Sequence, residues 1–239
     1  MPISWLDPKE EPAFPPISEA LTEPNGLLAI GGSLDVNWLL SAYSQGIFPW
    51  YEQGQPLLWW SPDPRLILEP SRVVVSRSLS KLIRKQMYTI SFDTDFVSVI
   101  KACQSSKGRE KGTWITSEMR VAYVELHRLG HAHSVEVWHD DRLVGGLYGI
   151  ALGKAFFGES MFSSQANASK LALVALSRQL QVWGFGLIDC QVHSDHLVSM
   201  GAVPLCRRDF QDMLTRLLSS RTGPGTWRFN PEYLSVGLS

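Results

Sequence analysis

Gly186-Leu187-Ile188-Asp189-Cys190-Gln191-Val192 reads as one short strand behind a glycine, and it is apolar except at two places. Strand alternation puts Asp189 and Gln191 on one face and Ile188, Cys190 and Val192 on the other. A carboxylate and an amide in so apolar a strand need partners or a task, because burying an unpaired acid is costly. Upstream, the chain predicts a helix from about Asn167 to Trp183, stopped by Gly184. Before that helix, residues 133–162 break into Ser134–Trp138, Leu143–Ile150 and Lys154–Phe162, separated by Asp140-Asp141 and Leu152-Gly153. These are the marks of a three-stranded antiparallel meander.

Meander, long helix and returning strand make an α+β fold with a mixed sheet. The order resembles the acetyltransferase-type (GNAT-like) fold, in which an acyl donor sits where two central strands splay apart, a likeness of fold that does not by itself assign chemistry. Glu159, in Phe156-Phe157-Gly158-Glu159-Ser160-Met161-Phe162, is a third acid in an apolar strand. Asp189, Gln191 and Glu159 on facing strands are the candidate catalytic group.

Further out, a basic helix is expected over Ser78–Lys85, a strand over Tyr88–Phe92 and a helix over Thr94–Cys103. Ser117 is placed to cap a helix presenting Met119, Ala122, Leu126 and Leu129 on one face, ended by Gly130. Another helix runs from Arg208 to about Leu218. The first 65 or so residues are punctuated by prolines and tryptophans, so only one short helix, Val36–Gln45 with Asp35 as N-cap, is expected there. The division is therefore a small irregular N-terminal domain, 1–66, and a mixed-sheet domain, 67–239.

The net charge of −1 conceals an asymmetry: residues 1–64 carry −7, residues 65–131 carry +6, and the remainder balances. Arg72, Arg77, Lys81, Arg84 and Lys85 concentrate the positive charge, a pattern that suits phosphate backbones or simply a solvated helix face. Nine tryptophans is a high count, and Trp50, Trp59, Trp60 and Trp114 fall in loops, where they plug a core or receive an apolar or stacked ligand.

Several classes are disfavoured. Cys103, Cys190 and Cys206 are odd in number and widely spaced, which suits reduced, packed thiols in the cytoplasm. No signal peptide or membrane-length apolar run is visible. His131 and His133 have no third ligand at a metal spacing, so no metal is expected. His196, just after the polar strand, is a reserve candidate for proton transfer. The position of a pyrophosphate loop reads Ser164-Gln165-Ala166-Asn167-Ala168-Ser169-Lys170, without its glycines, which disfavours coenzyme A; no cofactor is expected.

Glu23-Pro24-Asn25-Gly26-Leu27-Leu28-Ala29-Ile30-Gly31-Gly32, Gly46-Ile47-Phe48-Pro49-Trp50, Trp59-Trp60-Ser61-Pro62-Asp63-Pro64-Arg65, Gly112-Thr113-Trp114-Ile115-Thr116, Gly130-His131-Ala132-His133-Ser134, Gly158-Glu159-Ser160-Met161-Phe162-Ser163 and Ile188-Asp189-Cys190-Gln191 together resemble the leucyl/phenylalanyl-tRNA–protein transferases, in order and over essentially the whole chain. The resemblance implies a cytoplasmic bacterial enzyme that moves Leu or Phe, and Met less well, from aminoacyl-tRNA to proteins beginning with Arg or Lys, marking them for degradation. It places Asp189, Gln191 and Glu159 in the active site. It implies a side-chain pocket of Trp50, Trp114, Leu147, Phe156, Leu173, Leu176 and Ile188. A monomer without a membrane partner is expected, with the tRNA held mostly by phosphate contacts from the 72–85 cluster.

In that reading Gln191 accepts a hydrogen bond from the attacking amine, Asp189 orients its amide, and Glu159 holds the acceptor. A coenzyme A-dependent N-acetyltransferase and a non-catalytic reader of tRNA or N-terminal peptides are the competing readings. The second leaves the three polar residues without a task.

Overall fold

Proline and glycine keep the N-terminal elements of the computed structural model short; it describes residues 3–105, 115–220 and 225–235. Strands β1 (Ser4–Leu6), β2 (Leu27–Gly31), β3 (Phe48–Pro49) and β4 (Leu58–Trp60) nevertheless pair into a sheet of order β1-β2-β4-β3, with helix α1 (Val36–Ser44) between β2 and β3. The sequence foretold α1 and its Asp35 N-cap but not this sheet, because runs of two to five residues carry no readable alternation. Trp59 is fully buried and its indole N–H donates to the Gly31 carbonyl at 2.8 Å. The sequence placed Trp59 and Trp60 in a loop; they lie instead in β4, where pairing with β2 and β3 defines the strand, and Trp59 plugs a core.

The chain crosses into the larger sheet at β5 (Arg65–Leu68), then runs through α2 (Arg77–Arg84), β6 (Thr89–Phe92), α3 (Phe96–Gln104) and α4 (Ser117–Arg128). The meander follows as β7 (Ala132–His139), β8 (Arg142–Leu152) and β9 (Ala155–Ser163). Next come α5 (Ala168–Val182), β10 (Leu187–Gln191), α6 (Asp195–Val198), β11 (Val203–Leu205) and α7 (Arg207–Leu218). The sheet order is β11-β5-β10-β9-β8-β7-β6. It is the α+β, mixed-sheet architecture expected: antiparallel everywhere except where β10 lies parallel to β9.

Two readings on α4 are corrected. Its cap is Thr116, whose hydroxyl accepts from the Met119 N–H at 3.2 Å, and its buried face is Met119, Tyr123 and Leu126, while Leu129 is exposed. Cys206, expected to pack, is exposed.

Alternation along β8 and β9 deals side chains to two cores. Tyr148 and Phe157 join α1, α3, α4 and the small sheet on one face, whereas Leu147 and Phe156 join α5 on the other. Both sheets thus share the first core, which fixes the N-terminal segment against the meander.

The parallel pairing of β10 with β9 covers only Leu187–Asp189 opposite Ala155–Phe157. Beyond it β10 bulges: its register against β5 shifts between Asp189 and Gln191, Gln191 adopts φ 64°, and the Val192 N–H turns back to the Cys190 carbonyl at 2.8 Å. Such a tight turn at a non-glycine residue is strained. The two strands diverge, and a slot opens between them.

Gly149 sets the close approach of β8 to β9 behind this slot: a Cβ there would lie 2.2 Å from the Phe157 carbonyl oxygen and 2.6 Å from the Phe156 ring. Gly149→Ala is therefore expected to cost about 2–3 kcal/mol of stability, read by urea denaturation. An unchanged midpoint would contradict the packing described.

Candidate active site

The slot has a volume of about 300 Å³. Leu147, Phe156, Leu173, Leu176 and Ile188 make its apolar wall, Trp50 stands at its side, and Glu159, Asp189 and Gln191 make its polar end. Every expected pocket residue is there except Trp114, which lies outside the described residues. Trp50 is half-exposed and held by Trp60, whose ring centroid lies 5.6 Å away and whose indole N–H donates to the Trp50 carbonyl.

The polar end is a connected network. Asp189 is fully buried and accepts a two-point hydrogen bond from Arg65, Nε to Oδ1 at 2.8 Å and Nη2 to Oδ2 at 2.6 Å. The Arg65 guanidinium is clamped between the rings of Phe48 and Phe210, at 4.7 and 4.8 Å. Asp189 Oδ1 also accepts the backbone N–H of Gln191 at 2.9 Å. This corrects one expectation: Asp189 holds the Gln191 backbone in its bulge and does not orient the side-chain amide. That task falls to Glu159, whose Oε1 accepts from Gln191 Nε2 at 2.8 Å. Tyr123 donates to Glu159 Oε2 at 2.8 Å and shares a short hydrogen bond with Tyr43. With its nitrogen committed to Glu159, the amide keeps its carbonyl oxygen to accept a hydrogen bond from a ligand.

Burial pushes the Glu159 carboxyl up to about 7; the Tyr43 and Tyr123 hydroxyls pull the other way, and the Asp189 charge adds to the rise. Burial first, and the Glu159 charge second, hold Tyr43 and Tyr123 well above the usual phenol range, so both remain donors. The Cys190 thiol also lines the slot, but burial raises it and keeps it from being a thiolate nucleophile.

Sequence reasoning missed Arg65, Tyr43 and Tyr123. The signal for Arg65 was present, since a lone base opening the apolar run Arg65-Leu66-Ile67-Leu68 is the counterpart of a lone acid in Leu187–Val192. The tyrosines gave none, because a tyrosine on a buried helix face looks like core.

His196, on α6, lines the slot as well. His133 is engaged elsewhere: Nδ1 pairs with Asp93 at 2.7 Å and the ring stacks on Trp227 at 3.8 Å. Among the described residues no group of three or more His, Cys, Asp or Glu could hold a metal ion, and no helix is long and apolar enough to cross a membrane. Arg77, Lys81 and Arg84 are exposed on α2, opposite its buried Leu79 and Ile83, with exposed Lys85 capping its end, while Arg72 pairs with Glu69 at 3.1 Å just before it. Helix α2 packs on α5, which supplies Leu173 and Leu176 to the slot.

An apolar grip ending at fixed hydrogen-bonding groups is the general form of a ligand site and suits a transferase, one that holds a group by its side chain while presenting its reactive end. Comparison with known proteins gives the same class and a particular family. Residues 67–215 match the family model described as leucyl/phenylalanyl-tRNA protein transferase, and residues 32–63 match the model of that family's N-terminal domain. The leucyl/phenylalanyl-tRNA–protein transferase of Azoarcus sp. (strain BH72) is 55% identical over 94% of this chain and 95% of its own. That of Pseudomonas fluorescens (strain SBW25) is 53% identical over 93% and 98%. The chain belongs to the leucyl/phenylalanyl-tRNA–protein transferase family and is an aminoacyltransferase. Among solved structures, a GCN5-related N-acetyltransferase from Kribbella flavida aligns at 12% identity and a TM-score of 0.39, over 69% of this chain and 58% of its own, too loose a likeness to inform the site.

Glu159 links stability to pH. Its carboxyl titrates near 4.5 in the unfolded chain and near 7 when folded, so between these values the native state binds the proton and the unfolded state does not. Its favourable contribution is full below pH 4.5 and is lost as pH rises through 7. Relative to Glu159→Gln, the wild type is expected to lose on the order of 3 kcal/mol over that window, read by denaturant titrations at each pH. Parallel stability curves for the two proteins would refute the assignment.

Proposed function

We propose that the enzyme transfers Leu or Phe, and Met less well, from aminoacyl-tRNA to the α-amine of proteins beginning with Arg or Lys, marking them for degradation in the cytoplasm. It acts as a monomer and without a cofactor. The observation that carries this reading is the slot: its wall is apolar, its end is a pinned amide, and the two adjoin. The donor side chain enters the wall of Leu147, Phe156, Leu173, Leu176 and Ile188, with Trp50 beside it, and its ester carbonyl comes to Gln191. Trp114 completes the pocket in this reading.

The chemistry asks little of a base. The donor is already an activated ester, and an α-amine has a pKa of about 7.7–8.0, so roughly a tenth is neutral at pH 7. Gln191 has no useful basicity; its carbonyl oxygen accepts from the attacking nitrogen and fixes its approach. Glu159, about half ionised near neutral pH, steadies that amide and favours the charge that develops on the amine. Apolar walls separate side chains by only about 1–3 kcal/mol per methylene, so tolerance of several donors follows. Charged side chains are rejected by desolvation.

The division at residues 66 and 67 belongs to the same proposal; it cuts β5, whose Arg65 and Leu66 already pair in the larger sheet, and Trp50 brings the first part to the side of the slot. The exposed row Arg77, Lys81, Arg84 and Lys85, with Arg72 before it, gives the tRNA backbone a phosphate-binding face.

Phenylalanyl-tRNA incubated with an Arg-starting peptide is expected to yield the Phe-extended peptide. Gln191→Ala should lower that rate by about 10²–10³-fold with tRNA affinity little changed. Loss of affinity together with activity would make Gln191 structural instead. Reversing charge at Arg77, Arg84 and Lys85 should weaken tRNA binding and flatten its salt dependence; unaltered binding would exclude this face.

A further inference from the structure

One wall of the slot is unused by the chemistry so far. His196 sits on α6 and lines the same cavity, and its Nε2 is shielded from solvent with no hydrogen-bond partner among the described residues. Buried polar atoms in native folds are almost always satisfied, so an orphan on a residue that lines a cavity is a group that a ligand entering there can satisfy. The neighbouring His193 differs: it is exposed and pairs with Asp195 at 3.1 Å. Ser194, next to it, also lines the slot, so this wall carries polar groups where the apolar wall has none.

Resting on the function proposed above, the group to be placed at this wall is the leaving group. An aminoacyl ester has three parts: the side chain fills the apolar wall, the carbonyl meets Gln191, and the terminal ribose must lie on the remaining side. We propose that His196 contacts this ribose and relays the proton from the attacking amine to the ribose oxygen that departs.

The balance is closed. The amine nitrogen bonds to the carbonyl carbon, and the bond from that carbon to the ribose oxygen breaks with its electron pair on oxygen. The nitrogen gives up one proton, the imidazole takes it and passes it to the ribose oxygen, and His196 ends neutral as it began. Burial first, and the Lys170 charge second, hold the imidazole below its ordinary value, so it is neutral and able to take a proton when the reaction starts.

The test compares two donors of the same amino acid. Phenylalanyl-tRNA leaves a ribose alkoxide, which needs a proton; the p-nitrophenyl ester of phenylalanine leaves a phenolate stable without one. With an Arg-starting peptide as acceptor, His196→Ala is expected to cut kcat from phenylalanyl-tRNA by about a hundredfold or more, with KM and the rate from the nitrophenyl ester each moving less than about threefold. His196→Asn, which keeps a hydrogen bond but cannot relay a proton, should be as slow as the alanine variant. Equal losses with both donors would reduce His196 to a structural role. Full rescue by asparagine, a raised KM at constant kcat, or no loss at all would also overturn the relay. If the wild type does not turn over the nitrophenyl ester, the kcat-against-KM split and the asparagine variant decide alone. Wild-type protein inactive with phenylalanyl-tRNA would instead sink the function on which the relay rests.

Discussion

The buried pair between Arg65 and Asp189 is the constraint on which the rest of the site depends. Two charges removed from water are not a cheap source of stability, and pairs of this kind often contribute less than apolar residues of the same volume would. What this pair provides is position. Arg65 opens the first strand of the larger sheet, is clamped by Phe48 from the small sheet and Phe210 from α7, and grips the acid in β10 at two points. The same carboxylate holds the backbone N–H of Gln191 in a left-handed turn that a non-glycine residue adopts only under compulsion. Three remote parts of the chain thus fix one amide.

From that amide the network runs through Glu159 to Tyr123 and Tyr43, and every link is buried. The slot is therefore apolar at one end and hydrogen-bonded at the other. In the proposed reaction, the apolar end grips a side chain by shape while the hydrogen-bonded end places a nitrogen. Neither contributes strong acid or base chemistry, which accords with a donor that arrives activated. The carboxyl of Glu159, poised near 7, changes its charge over the ordinary range of pH.

Much of this architecture was written in local pattern. The meander, α5 and β10 were legible because period two gives way to a long apolar helix and back again between glycine stops. Asp189, Gln191 and Glu159 stood out as polar residues in apolar strands, and all three meet in the slot. Strand alternation reached the right face for Gln191 by the wrong route, since a bulge rather than a regular pleat turns it there. Arg65 escaped because its partner lies 124 positions away, and no local rule connects a base near a proline turn to an acid in a distant strand. The small sheet escaped for a different reason: strands of two to five residues are too short for periodicity, and only their pairing in space defines them. Tyr123 shows a third kind of silence, a hydroxyl that holds Glu159 on a side chain whose ring belongs to the core.

The most direct measurement is a crystal structure with the amide-linked analogue of phenylalanyl-adenosine bound. The phenyl ring is expected among Leu147, Phe156, Leu173, Leu176 and Ile188, with the carbonyl beside Gln191 and Gln191 still bonded to Glu159 and Asp189. A ligand seated outside the slot, or an amide swung away from Glu159 with the ligand in place, would contradict the idea that a buried ion pair holds this glutamine for the reaction.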